Sequence, residues 1–158
     1  MTAPKKHLPP VHTTVTTIWR TGHAFDVRGT TGAPIVIDAH KVEGMGPVDT
    51  LLGALAACTA VDLLDILAKR RTPVERLEIV VNAERRGKAP KRLMRAELEY
   101  RITGPAIDAV HAERAIQLSV EKYCSVATSL ASDVELSSVL VLNGVGHDPR
   151  PRHVAPVV

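Results

Sequence analysis

Aromatic side chains are nearly absent from this 158-residue chain, which holds one Trp, one Phe and two Tyr. Modules that read single-stranded nucleic acid stack bases on several aromatic platforms, so that class lacks its main binding device here. Cysteine is scarce as well. Cys58 and Cys124 stand 66 positions apart, which excludes a disulfide-stapled secreted scaffold. No CxxC, HxxxH or HExxH spacing occurs among the cysteines and histidines, so no metal or cofactor is expected. Gly29 with Gly32 and Gly44 with Gly46 match neither a dinucleotide fingerprint nor a phosphate loop, and no GxSxG elbow is present. A strong excess of one charge is also lacking: the net charge of +3 permits an acidic partner without arguing for one. The longest uncharged apolar run, Leu51 to Val61, has 11 residues and is too short to span a bilayer. The N-terminus carries no apolar stretch of the secretory kind. The expectation is a cytoplasmic protein with no nucleic-acid or membrane partner, whose two thiols are free, catalytic or redox-active.

What is present reads as globular: 45% hydrophobic and 23% charged residues. Residues 1–10, with Pro4, Pro9 and Pro10, read as a loose arm, and 144–158 as a tail bearing Pro and Arg. A single domain is expected over 11–143. Val11, Thr13, Val15, Thr17 and Trp19 alternate as in a strand, as do His23, Phe25 and Val27, and Ile35 to Ile37 complete a three-stranded meander. Gly44-Met45-Gly46 breaks the chain, and Pro47 suits the first position of a helix reaching about Arg71. Its first half is apolar or small on every side, which predicts burial all round and a second subunit to supply part of the wrapping. Leu77, Ile79, Val81 and Ala83 share one face of a strand, and Met94, Ala96, Leu98, Tyr100 and Ile102 share one face of the next. A helix over Asp108–Tyr123, a short helical turn over Ser125–Leu130 and a strand over Val134–Leu142 close the series. The order βββ-α-ββ-α-β is an α+β arrangement.

Each candidate residue has two readings. Cys58 lies mid-helix among Ala, Leu and Val, 11 residues past Pro47 and beyond the reach of the helix dipole. It is either a small buried hydrophobe or a thiolate held by a nearby cation. Cys124, at a helix junction, is either packing or chemistry. The cluster Arg85, Arg86, Lys88, Lys91 and Arg92 is either a phosphate contact or a solvated hairpin tip that resists edge pairing.

Two segments carry a resemblance together: GPVDTLLGALAACTAVDLLDIL from Gly46 and ERAIQLSVEKYCSVATSL from Glu113. They resemble the OsmC/Ohr family, the osmotically induced protein C and organic hydroperoxide resistance proteins. Pro47, an acidic residue opening the helix, Cys58, Cys124 and Ser125 fit that family's pattern. In better-studied members a Glu directly follows the Pro. Here Val48 holds that position and the acid is Asp49, about 100° further round the helix. The resemblance implies an intertwined homodimer with sheets enclosing central helices. It implies a cysteine-based peroxidase reducing organic hydroperoxides, and hydrogen peroxide more weakly. Cys58 would be the attacking thiolate and Cys124 the resolving thiol, joined as a Cys58–Cys124 disulfide that a lipoyl-type or other dithiol reduces. Arg20 best matches the family's activating Arg, with Arg28 as runner-up, and Asp49 stands for its carboxylate. The alternative is a non-catalytic dimer that binds a small molecule or senses oxidation.

Overall fold

The computed structural model describes residues 8–154, so 1–7 of the expected arm and 155–158 of the expected tail lie outside the described residues. Two compact units follow one another along the chain, Met1–Thr50 and Leu51–Val158. The architecture is mixed α+β, with one sheet in each unit.

In the first unit, β1 (Thr16–Thr21), β2 (Ala24–Arg28) and β3 (Ile35–Asp38) form an antiparallel meander. The strand expected from Val11 begins later. Thr16 pairs with Arg28, the last residue of β2, so among the described residues Val11 to Val15 have no neighbouring strand despite their composition. Gly22 takes φ +52° in the β1–β2 turn, where a side chain would be strained, and Trp19 Nε1 donates to its carbonyl at 3.1 Å. After β3 the chain loops back so that Gly44 lies against Val36. A Cβ on Gly44 would come within 2.2 Å of the Val36 carbonyl oxygen, so only glycine fits.

Helix α1 (Pro47–Lys69) starts at the expected proline. Leu55, Thr59, Leu63 and Leu67, spaced by four, form its buried stripe. The single chain thus buries one face, while Leu51, Val61 and Leu64 stay exposed. The expected exclusion of a membrane span does not carry over. It rested on the run Leu51–Val61, whereas the helix continues past Asp62 and Asp65. By length and composition α1 is apolar enough to cross a bilayer, a test that the core helix of a soluble protein also passes.

The second unit's sheet pairs β4 (Arg76–Arg85) antiparallel with β5 (Leu93–Thr103) and β5 parallel with β6 (Glu135–Leu142). The parallel pairing requires a crossing segment. It consists of α2 (Ala109–Leu118), a π turn (Ser119–Tyr123) and α3 (Ser125–Thr128). Asp108 caps α2 by accepting from the His111 backbone N–H at 2.9 Å. The shared face expected on β5 holds from Ala96 to Ile102 and fails at Met94. A bulge pairs Arg85 with Leu93, so Leu93 turns inward and Met94 outward. The stretch read as a tail also contributes. β7 (Val145–Gly146) and β8 (Arg150–Arg152) both pair with β6, and Arg152 is buried. Pro151 is tolerated there because β8 is an edge strand. The core unites α1, the helix-facing residues of β5 and β6, and Ala112, Ala115, Ile116 and Val120 of the crossing segment.

Candidate active site

Cys58 precedes the buried Thr59 on α1 and therefore sits on the flank of the buried stripe, half-buried against the core. Cys124 is fully buried. The π turn puts it there. Its five-residue reach lets the Cys124 N–H donate to the Ser119 carbonyl at 2.8 Å, after which the backbone turns extended and α3 begins. Cys124 Sγ caps α3, accepting from the Ala127 N–H at 3.3 Å. The two thiols are neighbours: Cys58 packs against the core cluster that holds Cys124, and its proximity disfavours a charge on Cys124. Burial, first of all, pushes the Cys124 thiol up to about 11. The Ala127 N–H opposes that rise and Cys58 adds to it. Both cysteines are free thiols.

The other candidates belong to the first unit. Arg20, the last residue but one of β1, has its guanidinium 3.0 Å from Glu43 and 3.6 Å from Asp26, so two carboxylates orient it. Arg28 is exposed at the end of β2. Asp49 lies 2.6 Å from Lys41 Nζ and accepts from the Gly46 N–H at 3.3 Å, the reach-back of a capping box from the third helical position. Asp49 thus has a local task in starting α1.

Sequence reasoning missed Glu43 and Asp38. The Asp38 carboxylate accepts backbone N–H groups of His40, Val42 and Glu43 at 2.9, 2.9 and 3.1 Å. These bonds, led by that from His40, hold its pKa below the usual value. They fix the loop that presents Glu43 to Arg20. The available signal was an Asp closing a β-run before a short polar loop.

The basic hairpin tip is turned on itself. Arg85 donates to the Lys91 carbonyl at 2.8 Å, Arg86 to those of Lys88 and Ala89, and Arg92 forks onto Asp133.

Comparison with known proteins agrees with this architecture. Protein YhfA of Escherichia coli K12 is 32% identical over 120 residues, covering 75% of this chain and 90% of that protein. A crystal structure of a hypothetical protein from Aquifex aeolicus VF5 superposes with a TM-score of 0.74 at 25% identity, covering 85% of this chain and 99% of that one. The organic hydroperoxide resistance protein OhrB of Bacillus subtilis shares the fold at a TM-score of 0.56 and 15% identity, covering 82% of this chain and 98% of that one. The OsmC-like protein family model matches residues 39–138, from the loop ahead of α1 to the middle of β6 and across both cysteines, and the chain belongs to that family, the OsmC/Ohr proteins.

Proposed function

We propose that the protein is a thiol-dependent peroxidase that reduces organic hydroperoxides, and hydrogen peroxide more slowly, as a cytoplasmic homodimer. One observation carries this reading: two free thiols that interact, one half-buried and one fully buried. The difference in burial supports the assignment of roles. Cys58 is the thiol a peroxide can reach. Cys124, raised to about 11, stays protonated near neutral pH and suits a resolving thiol.

In the cycle, the Cys58 thiolate attacks the distal oxygen of ROOH. The O–O bond breaks, the alkoxide takes a proton and leaves as ROH, and Cys58 carries a sulfenic acid. The Cys124 sulfur then attacks Cys58, the S–S bond forms, the S–O bond breaks and water leaves. A dithiol reductant, lipoyl-type or similar, exchanges with the disulfide, restores both thiols and departs oxidised. Leu51, Ala54 and Val61 lie seven and four residues before Cys58 and three after it, on the same helix face, and all three are exposed. This aliphatic stripe supports a preference for alkyl peroxides and cover by a second subunit.

The test begins with reduced protein and one equivalent of cumene hydroperoxide, followed by thiol titration and intact mass. Both thiols are expected to disappear with a loss of two hydrogens. Cys58→Ser is expected to abolish turnover. Cys124→Ser is expected to allow one oxidation and then accumulate sulfenate. Steady turnover by Cys58→Ser refutes the reading. The second reading is a non-catalytic dimer that binds a small molecule or senses oxidation. Asp49 favours it, being engaged by Lys41 and by the start of α1. Two thiols surviving the peroxide would establish it over the first.

A further inference from the structure

A cavity beside the two cysteines has no part in the cycle above. α1 and the crossing segment run in opposite directions. Cys58, in the middle of α1, neighbours Cys124 beyond the end of α2, while Arg70, just past the end of α1, meets His111 in the first turn of α2. The His111 ring closes that far end. Its Nδ1–H donates to Asp108, and its Nε2 accepts from Arg70, which can only donate. Between the dithiol and this clasp lies a cavity of about 420 Å³, a size that suits a small molecule.

The cavity starts one helical turn past Cys58, at Asp62, and Tyr123, the residue before Cys124, lines it as well. Its walls carry both signs of charge: Asp62, Asp65 and Lys69 from α1, and Arg114 from α2. Asp65 and Lys69 stand four residues apart, a spacing at which opposite charges commonly pair on a helix. Here they do not pair. Among the described residues, the side chains of Asp62, Asp65 and Lys69 make no hydrogen bond or ion pair, and Arg114 donates only to Gln117, at 2.7 Å. Partial burial raises the Asp62 pKa, and the Asp65 charge adds to the rise, as expected of a carboxylate with no cation beside it. Measured along the helix axis, Asp62 and Asp65 lie about 6 and 10 Å from Cys58, and Lys69 about 16 Å. A ligand that satisfies these groups carries a cation nearer the dithiol and an anion further from it.

We propose that this cavity binds an amino-acid head group, with its ammonium at Asp62 and Asp65 and its carboxylate at Lys69 and Arg114, and that the ligand is a low-molecular-mass thiol of the γ-glutamyl peptide type, whose chain carries its sulfur back to the dithiol. The redox role rests on the peroxidase reading, and the binding does not. Two such thiols then do what one dithiol reductant does. The thiolate of the bound molecule attacks the Cys58 sulfur of the disulfide, the S–S bond breaks, and Cys124 leaves and takes a proton. A second molecule attacks the ligand's sulfur, the two ligands depart joined as a disulfide, and Cys58 is a thiol again. Two ligand thiols are oxidised for each protein disulfide reduced.

The test uses the reduced full chain and S-methylglutathione, which keeps the head group and cannot exchange. Calorimetry is expected to show saturable binding, weakened roughly tenfold by Asp62→Asn and by Arg114→Gln. N-Acetyl-S-methylglutathione, which lacks the ammonium, is expected to bind wild type more weakly and to lose nothing further in Asp62→Asn, while Arg114→Gln still weakens it. Absence of saturable binding overturns the proposal, as does Asp62→Asn weakening both ligands alike. The thiol assignment is tested on protein whose disulfide is formed with diamide, without peroxide. Its reduction by glutathione is expected to level off as glutathione rises, and its reduction by 2-mercaptoethanol, which has no head group, to stay proportional to concentration. Proportional rates with both overturn that assignment. If peroxide leaves the wild-type thiols intact, the peroxidase reading fails, and the binding measurements still decide the site.

Discussion

The sheet of the first unit and the sheet of the second differ in what holds them. All six residues of β1 are exposed, and Ile18, Trp19 and Ile35 show 45%, 65% and 48% of their surface to solvent. Order in that unit comes from the β ladder, the three N–H groups gathered by Asp38 and the two carboxylates on Arg20. In the second unit, Leu98, Tyr100 and Leu140 are fully buried against α1 and the crossing segment. One unit is organised by hydrogen bonds and ion pairs around an uncovered apolar surface. The other has its own core, and the dithiol belongs to that core. Exposed ion pairs contribute little net stability, whereas buried aliphatic side chains contribute much.

Three measurements sharpen this contrast. The largest effect is expected from Leu63→Ala, at the centre of the buried stripe. It should cost about 3 kcal/mol, read as a lower urea midpoint at unchanged slope. A loss below about 1 kcal/mol would break the contrast, because the second unit would then not depend on its core.

The next effect is alkaline. The folded-state pKa of Cys124 is raised above its ordinary 9.0 to about 11. The neutral thiol therefore favours the folded state fully below pH 9, and that contribution is lost as pH rises towards 11. Urea midpoints at pH 8 and pH 10.5 should differ in wild type by more than in Cys124→Ala, the excess being on the order of 1–2 kcal/mol. An identical pH slope in the two proteins would mean that Cys124 is not buried in solution.

The smallest effect is expected in the first unit. Trp19→Ala should change the stability of dilute protein by less than about 0.5 kcal/mol. A larger cost that grows with protein concentration would show that a second copy covers this surface.

Much of the fold was legible because its pattern is local. Pro47 marks the start of α1, and alternation from Leu77 and from Ala96 marks the central hairpin. The failures share a cause, namely interactions distant in sequence. Met94 and Leu93 exchange faces at a bulge that alternation cannot reveal. Val11 to Val15 have strand composition and, among the described residues, no strand beside them. Arg150 to Arg152 read as a tail until Ser138 and Glu113 supply partners for Arg152. At the candidate site, the family pattern singled out both cysteines, while their approach depends on a π turn that no residue pattern announces. Asp49 was read for chemistry, and its capping of α1 came only with the backbone.

The parallel pairing of β5 and β6 also sets an order of assembly. The β4–β5 hairpin closes over residues 86–92, a local event, whereas β6 can join only after residues 104–134 have crossed over and docked. Cys124 lies on that crossing segment, so its approach to Cys58 is expected to follow the local closure of the hairpin. A chain caught before that moment carries two separated thiols of ordinary reactivity, open to coupling with other molecules. If the two thiols join as proposed, the yield of intramolecular disulfide under a mild oxidant counts the molecules that have completed folding.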